Sequence, residues 1–228
     1  MMNISPINYN TEDTAFRHRH SCRQDRYTAK EKAIVAASSA IGIGISLALL
    51  SKSAGYSLKP SKMFRNFKKS YIAKTPFLAK QICAMGAGTC LGGLTGGYII
   101  DKNPQNRKAK QREAVMQMGN ISIPILTVHQ FEKFSSKYGK AAQAAGTLAG
   151  VFVGVFLANF LMNKLGNILF RNKDERGVKA ADFSAHFDDI IAGASYMSDA
   201  SWVHYLSRII PGILVIPGLE VGTKKSHN

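Results

Sequence analysis

The sequence predicts an all-α fold: an integral membrane helical bundle of about three spanning helices, packed through small-residue faces and flanked by peripheral amphipathic helices. Three observations lead there. Residues Ala33–Leu50, Gln81–Ile100 and Ala141–Asn163 contain no Asp, Glu, Lys, Arg or His. Each stretch is close to the ~20 helical residues that a hydrocarbon layer of about 30 Å demands. Charged groups stand just outside: Lys30, Glu31 and Lys32 before the first, Lys80 and Asp101 around the second, Lys140 and Lys164 around the third. A charge at the centre of a spanning helix costs roughly 2.5–3.5 kcal/mol, so its exclusion from all three windows is the informative feature.

Composition narrows the alternatives. The 228 residues carry 30 Lys and Arg against 14 Asp and Glu, a formal charge of +16, yet 46% are hydrophobic and only 19% charged. That excludes a disordered basic tail, which lacks the apolar surface needed to fold. The mean hydropathy of -0.06 also fits a soluble protein with three core helices. Such a helix keeps a polar stripe when the chain is too short to surround it, whereas Val151–Met162 offers only Asn159. The first window exceeds the ~7–15 apolar residues of a secretory leader and reads as a span; cleavage near Ser51 and Ser53 would leave two spans.

Taken in order, residues 1–32 form a basic polar arm expected to be disordered, in which His18, His20 and Cys22 alternate. The membrane helical region is 33–163, with spans at 33–50, 81–100 and 141–163. Between the first two, residues 51–80 hold eight Lys and Arg and no acid. There Met63, Phe64, Phe67 and Tyr71 share one side of a helical wheel at ~100° per residue. This is a basic amphipathic helix suited to a bilayer surface, with Lys62, Arg65, Lys68 and Lys69 as the candidate contacts to anionic lipid headgroups. Asp101–Arg112, rich in Lys and Arg, is expected to be an exposed connection. Ile121–Val128 is too short to span, and Pro124 argues against a central strand or a regular helix.

Residues 164–228 form an amphipathic carboxy-terminal region. Phe183, Phe187, Ile190 and Ile191 recur at helical spacing and could cap the bundle. Ile209–Leu219 is apolar but interrupted by Pro211, Gly212, Pro217 and Gly218, which suggests an interfacial or re-entrant segment.

Within lipid, helices gain nothing from burying apolar surface against each other, so close backbone approach through small residues has to supply the contact. Such residues recur every fourth position: Ser38, Gly42 and Ser46; Ala84, Gly88, Gly92 and Gly96; Ala142, Gly146, Gly150, Gly154 and Ala158. Gly42, Ser46, Gly88, Gly92, Gly96, Gly146, Gly150 and Gly154 are therefore the candidate helix-packing residues. Over these short segments the chain resembles the glycine-zipper pattern of membrane proteins, a resemblance that transfers no activity. Gly93 and Gly97 are left over, which leaves room for a second copy of the chain and makes a homo-oligomer the expected partner state. With three spans the two sides carry 14 and 13 basic residues, and counting them assigns no orientation.

Asp182, His186 and Asp189, spaced by four and three, place an imidazole and two carboxylates along one helix edge and are the candidate metal ligands. The plain alternative is a polar edge. Cys22, Cys83 and Cys90 lack paired spacing for a zinc site or a disulfide framework. No phosphate-binding loop, nucleophile elbow or zinc-protease spacing is present, so no catalytic residue, cofactor, nucleic-acid partner or small-molecule substrate is assigned. The expected role is that of a non-enzymatic, self-associating scaffold or assembly factor in a membrane whose identity stays open. A passive pore or transporter comes second, and a metal-dependent membrane enzyme third. Coupled transport is disfavoured because the three windows hold no ionisable group.

Overall fold

The structure, a computed structural model, describes residues 27–56, 79–171, 175–187, 189–191 and 209–226, and among these every regular element is a helix. The predicted headgroup contacts Lys62, Arg65, Lys68 and Lys69 lie outside the described residues.

Helix α1 (Ala29–Ser53) begins where Thr28 caps it and Glu31 reaches back to the Thr28 N–H at 2.7 Å, two otherwise orphaned donors being satisfied reciprocally. Helix α2 (Ala79–Ile100) runs antiparallel to α1. A link of three residues leads to helix α3 (Pro104–Ser135), capped by the Asn103 side chain and opened by a proline at a position that needs no N–H. A short 3₁₀ turn and Gly139, at φ +101°, reverse the chain into helix α4 (Lys140–Phe170). A methyl group is disfavoured at that φ, so glycine is required there. Helix α5 (Ala180–Ser184) is followed by a turn at Ala185–His186. Helices α6 (Ile210–Ile213) and α7 (Val215–Thr223) complete the described chain.

Three of these helices, α1, α2 and α4, are long and apolar enough to cross a membrane. Their contacts are made at small residues. A methyl group on Gly42 would overlap the carbonyl of Gly88, one on Gly92 the carbonyl of Ser38, and one on Gly96 would stand 2.9 Å from the Val35 Cα. On the other hairpin, Gly146 abuts Ser135, Gly154 abuts Pro124, and a methyl on Gly150 would reach within 2.6 Å of the Val128 Cα. Ser46 is the side chain that closes over Gly88.

Several elements depart from the sequence expectations. Asp101–Arg112 is a connection only over its first three residues: Asn103 and Pro104 start α3, whose Lys110 is wholly buried, while Lys102, Gln105, Lys108 and Gln111 are exposed as expected. Pro124 does not end that helix. Proline leaves the Asn120 carbonyl without its helical donor, and His186 Nε2 takes the vacancy at 2.7 Å. Since a carbonyl only accepts, that ring nitrogen carries the hydrogen.

Pro211 and Pro217 fall in the first turns of α6 and α7, where proline is tolerated, so the segment read as broken is helical on both sides of Leu214. Its helix α7 covers the glycines thought to be left over: a methyl on Gly93 would overlap the Gly218 carbonyl, and one on Gly97 would stand 2.8 Å from the Gly222 Cα. Thr89 Oγ1 fixes the same contact by donating to the Leu214 carbonyl at 2.7 Å.

A candidate site in the ionic clusters beside α3

Two polar clusters tie separate segments of the chain together at one end of the bundle. In the first, Lys110 spends its three protons on three acceptors: the Tyr27 hydroxyl at 2.7 Å, Asp101 Oδ2 at 3.2 Å and the Lys224 carbonyl at 2.8 Å. Tyr27 in turn donates to Asp101 Oδ2. Asn106 joins Asp101 to the Ser226 N–H through bonds of 2.9 Å each. Tyr27 precedes α1, Asp101 follows α2 and Lys224 follows α7, so one ammonium fastens three separate segments.

Burial pushes the Asp101 carboxyl up, but hydrogen bonds from Tyr27, the Asn103 N–H and Lys110 outweigh it and hold it at about 2. This value lies below the ordinary ~3.9 of an unfolded Asp. The resulting stabilisation is complete above that ordinary value and is lost as pH falls toward 2. Thermal stability of the purified protein should therefore fall between pH ~4 and ~2, and Asp101→Asn should flatten that part of the profile while lowering stability at neutral pH.

The second cluster centres on Arg176. Its Nε donates to Glu113 at 2.8 Å, its Nη1 and Nη2 grip both oxygens of Asp182 at 2.8 and 2.6 Å, and Nη2 also reaches Glu220 at 3.3 Å. Gln117 bridges Glu113 and Glu220 at 3.2 and 2.5 Å, and Asn120 donates to Asp182 at 3.0 Å. Lys179 and Lys224 bring two more cations, 3.3 Å from Glu220 and 3.7 Å from Glu113. Three carboxylates thus face three cations. Asn163 on α4 holds the Arg176 backbone by a pair of 2.9 Å bonds, which fixes the loop that delivers the guanidinium.

A cavity of about 260 Å³ opens beside this cluster, lined by Arg112, Glu113, Arg176, Lys179, Lys224 and Lys225 among others. On the opposite side of the α1–α2 pair lies an apolar groove of about 410 Å³, walled by Ile41, Ile45, Leu49, Ala84, Ala87 and Leu91 among others.

The residues singled out as metal ligands are drawn into these contacts instead. Asp182 is taken by Arg176 and Asn120, while His186 is buried between the Asn120 carbonyl and Asp189, whose carboxylate lies 3.3 Å from Nδ1. Among the described residues no group of three His, Cys, Asp or Glu is placed to hold a metal ion. Arg176, Glu113, Gln117, Asn120 and Glu220 carry the site and were not singled out from the sequence. The available signal was Glu113, Gln117 and Asn120 at i, i+4 and i+7, one polar face of a helix otherwise rich in Met and Ile.

Comparison of the chain with protein-family models, with curated proteins and with solved structures finds no match. The clusters and the helix faces are therefore what a functional reading rests on.

Proposed function

We propose that the chain is a multi-pass membrane protein that acts as a non-enzymatic, self-associating scaffold or assembly factor, its helices packed in glycine-zipper fashion. One observation carries the reading: the surface of the long helices is apolar where it faces outward. Ile41, Ile45 and Leu49 on α1, Leu91 and Ile99 on α2, and Phe152, Phe156, Phe160 and Ile168 on α4 are all exposed. An apolar surface of this extent is a liability in water and the normal condition of a helix in lipid. Meanwhile the clustered charges pair with one another inside the protein, which is what a framework requires. The bilayer, with its anionic lipids, is the partner the basic composition favours.

Self-association has a defined candidate surface. The glycines of α2 and α4 are consumed by contacts within the chain, but Gly44 on α1 has no atom within 4 Å of where a side chain would start. It lies between Ala40 and Ala48 at helical spacing of four. Gly44→Leu should leave the unfolding transition unchanged or slightly raised, since leucine exceeds glycine by up to about 1 kcal/mol in helix propensity, and should reduce cross-linking between copies in membranes. Undiminished cross-linking would remove this face as the oligomer contact.

A passive pore or transporter is the second reading, and the Arg176 cluster favours it. That cluster sets ionisable groups around a cavity at one end of the long apolar helices, and such groups in a membrane protein commonly mark an ion path. Ion flux through liposomes holding the purified chain, abolished by Glu113→Gln, would select this reading over the scaffold.

A further inference from the structure

We infer that α3, which composition does not mark as a spanning helix, is a fourth membrane crossing, with Met118, Leu126 and Phe131 turned toward lipid hydrocarbon. The inference rests on the membrane reading above and changes its topology. Only residues 101–103 separate the end of α2 from α3, and α3 then runs back along α2. Lys110 lies against Gly97, Ile121 against Gly86, and Cys83 Sγ meets Ser122 Oγ at 3.9 Å. Beyond that, α4 returns antiparallel along α3, with Met162 at Gly119, Gly154 at Pro124 and Gly146 at Ser135. Paired with α2 over residues 110–122 and with α4 over residues 119–135, α3 lies at the depth of both helices.

The sequence of α3 permits this. From Ala114 to Phe131 it has 18 residues without Asp, Glu, Lys or Arg, bounded by Arg112 and Glu113 at one end and Glu132 and Lys133 at the other. At ~1.5 Å per residue the window is about 27 Å long, near the thickness of a hydrocarbon layer. Gln117 and Asn120 lower its hydropathy, but both are about 1% exposed and their amide N–H groups donate to Glu113, Glu220 and Asp182. What the window turns outward is Met118, Leu126 and Phe131, with His129 and Gln130 near its end.

Four crossings place the region before α1, the 101–103 link and the chain after α4 on one side. The meeting of Tyr27 with Lys110 and Lys225 is consistent with this, the Lys225 ammonium lying 4.6 Å from the Tyr27 ring. The basic residues then no longer tie. Six precede Ala33, five fall between Lys102 and Arg112, and eight lie after Asn163; the other side has eight in 51–80 and three in 133–140. The richer side, with both ends of the described chain, faces the cytoplasm.

The test is labelling with a membrane-impermeant maleimide in sealed vesicles of known orientation, on the full chain with Cys22→Ser. Lys102→Cys, Lys137→Cys and Ser226→Cys are placed singly, the first two at exposed positions and the third at a half-buried residue whose backbone N–H, not its side chain, meets Asn106. Lys102→Cys and Ser226→Cys should label from the cytoplasmic face, and Lys137→Cys only from the opposite face. Lys102→Cys and Lys137→Cys labelling from one and the same face would overturn the fourth crossing while leaving a membrane protein. Loss of the chain from the vesicles on alkaline washing would instead overturn the membrane reading, and the crossing with it.

Discussion

Arg176→Met should cost the fold about 3–5 kcal/mol, the usual penalty for removing one member of a buried ion cluster. The guanidinium is 7% exposed, and its partners Glu113 and Asp182 are 2% and 0% exposed, so the deletion strands carboxylates where water does not reach them. The loop from residue 175, α5 and α7 should loosen together, because Asp182 and Glu220 would keep only the Asn120 and Gln117 amides as their links to α3 once the shared guanidinium is gone. Lys108→Met, at an exposed position of the same basic end, should change almost nothing. Reversible unfolding in detergent measures both. A small loss at Arg176, equal to that at Lys108, would mean that the cluster contributes little to holding the carboxy-terminal segment.

Gly42→Leu should separate α1 from α2. The methyl group that any larger residue brings would overlap the carbonyl of Gly88 and approach the Cα of Gly92 to 3.3 Å, and backbone cannot swing aside as a side chain can. Overpacking of this kind costs about 1–3 kcal/mol and more where no rotamer relieves it. Gly44→Leu, two residues along the same helix, meets open space. The two substitutions are chemically identical, so helix propensity cancels between them and the difference in unfolding free energy reports the α1–α2 contact alone. Equal effects would show that the two helices do not depend on that contact.

Helices α1, α2 and α4 were legible because the absence of charge over a long window survives any rearrangement of neighbours. The sequence also places their glycines on one face of each helix, since a spacing of four fixes a face. Which helices those faces would meet was not legible. Gly93 and Gly97 look spare until α7 is in place, and Pro217 and Gly218 made α7 look broken. Pro217 falls in the first turn, where a missing N–H costs nothing, and Gly218 is small because the Thr89 carbonyl stands within 2.6 Å of where its side chain would begin.

Helix α3 was the largest omission, for two compounding reasons. Gln117 and Asn120 dilute its hydropathy, and Pro124 interrupts its hydrogen bonds. Both are resolved by tertiary partners far away in sequence: Glu220 and Asp182 for the amides, His186 for the freed carbonyl of Asn120. The same distance kept the partners of Asp182, His186 and Asp189 out of view. Their spacing suggests a shared ligand, but Arg176, six residues before Asp182, claims the first carboxylate, and the Asn120 carbonyl claims the imidazole.

Whether lipid surrounds the outward-facing apolar side chains is decided by alkaline extraction of membranes from cells making the full chain, followed by flotation. The chain should stay with the bilayer at high pH and enter solution only with detergent. A chain released by alkali that then runs as a single monodisperse species in plain buffer would show that water tolerates this surface, and the membrane reading of α1, α2 and α4 would be wrong.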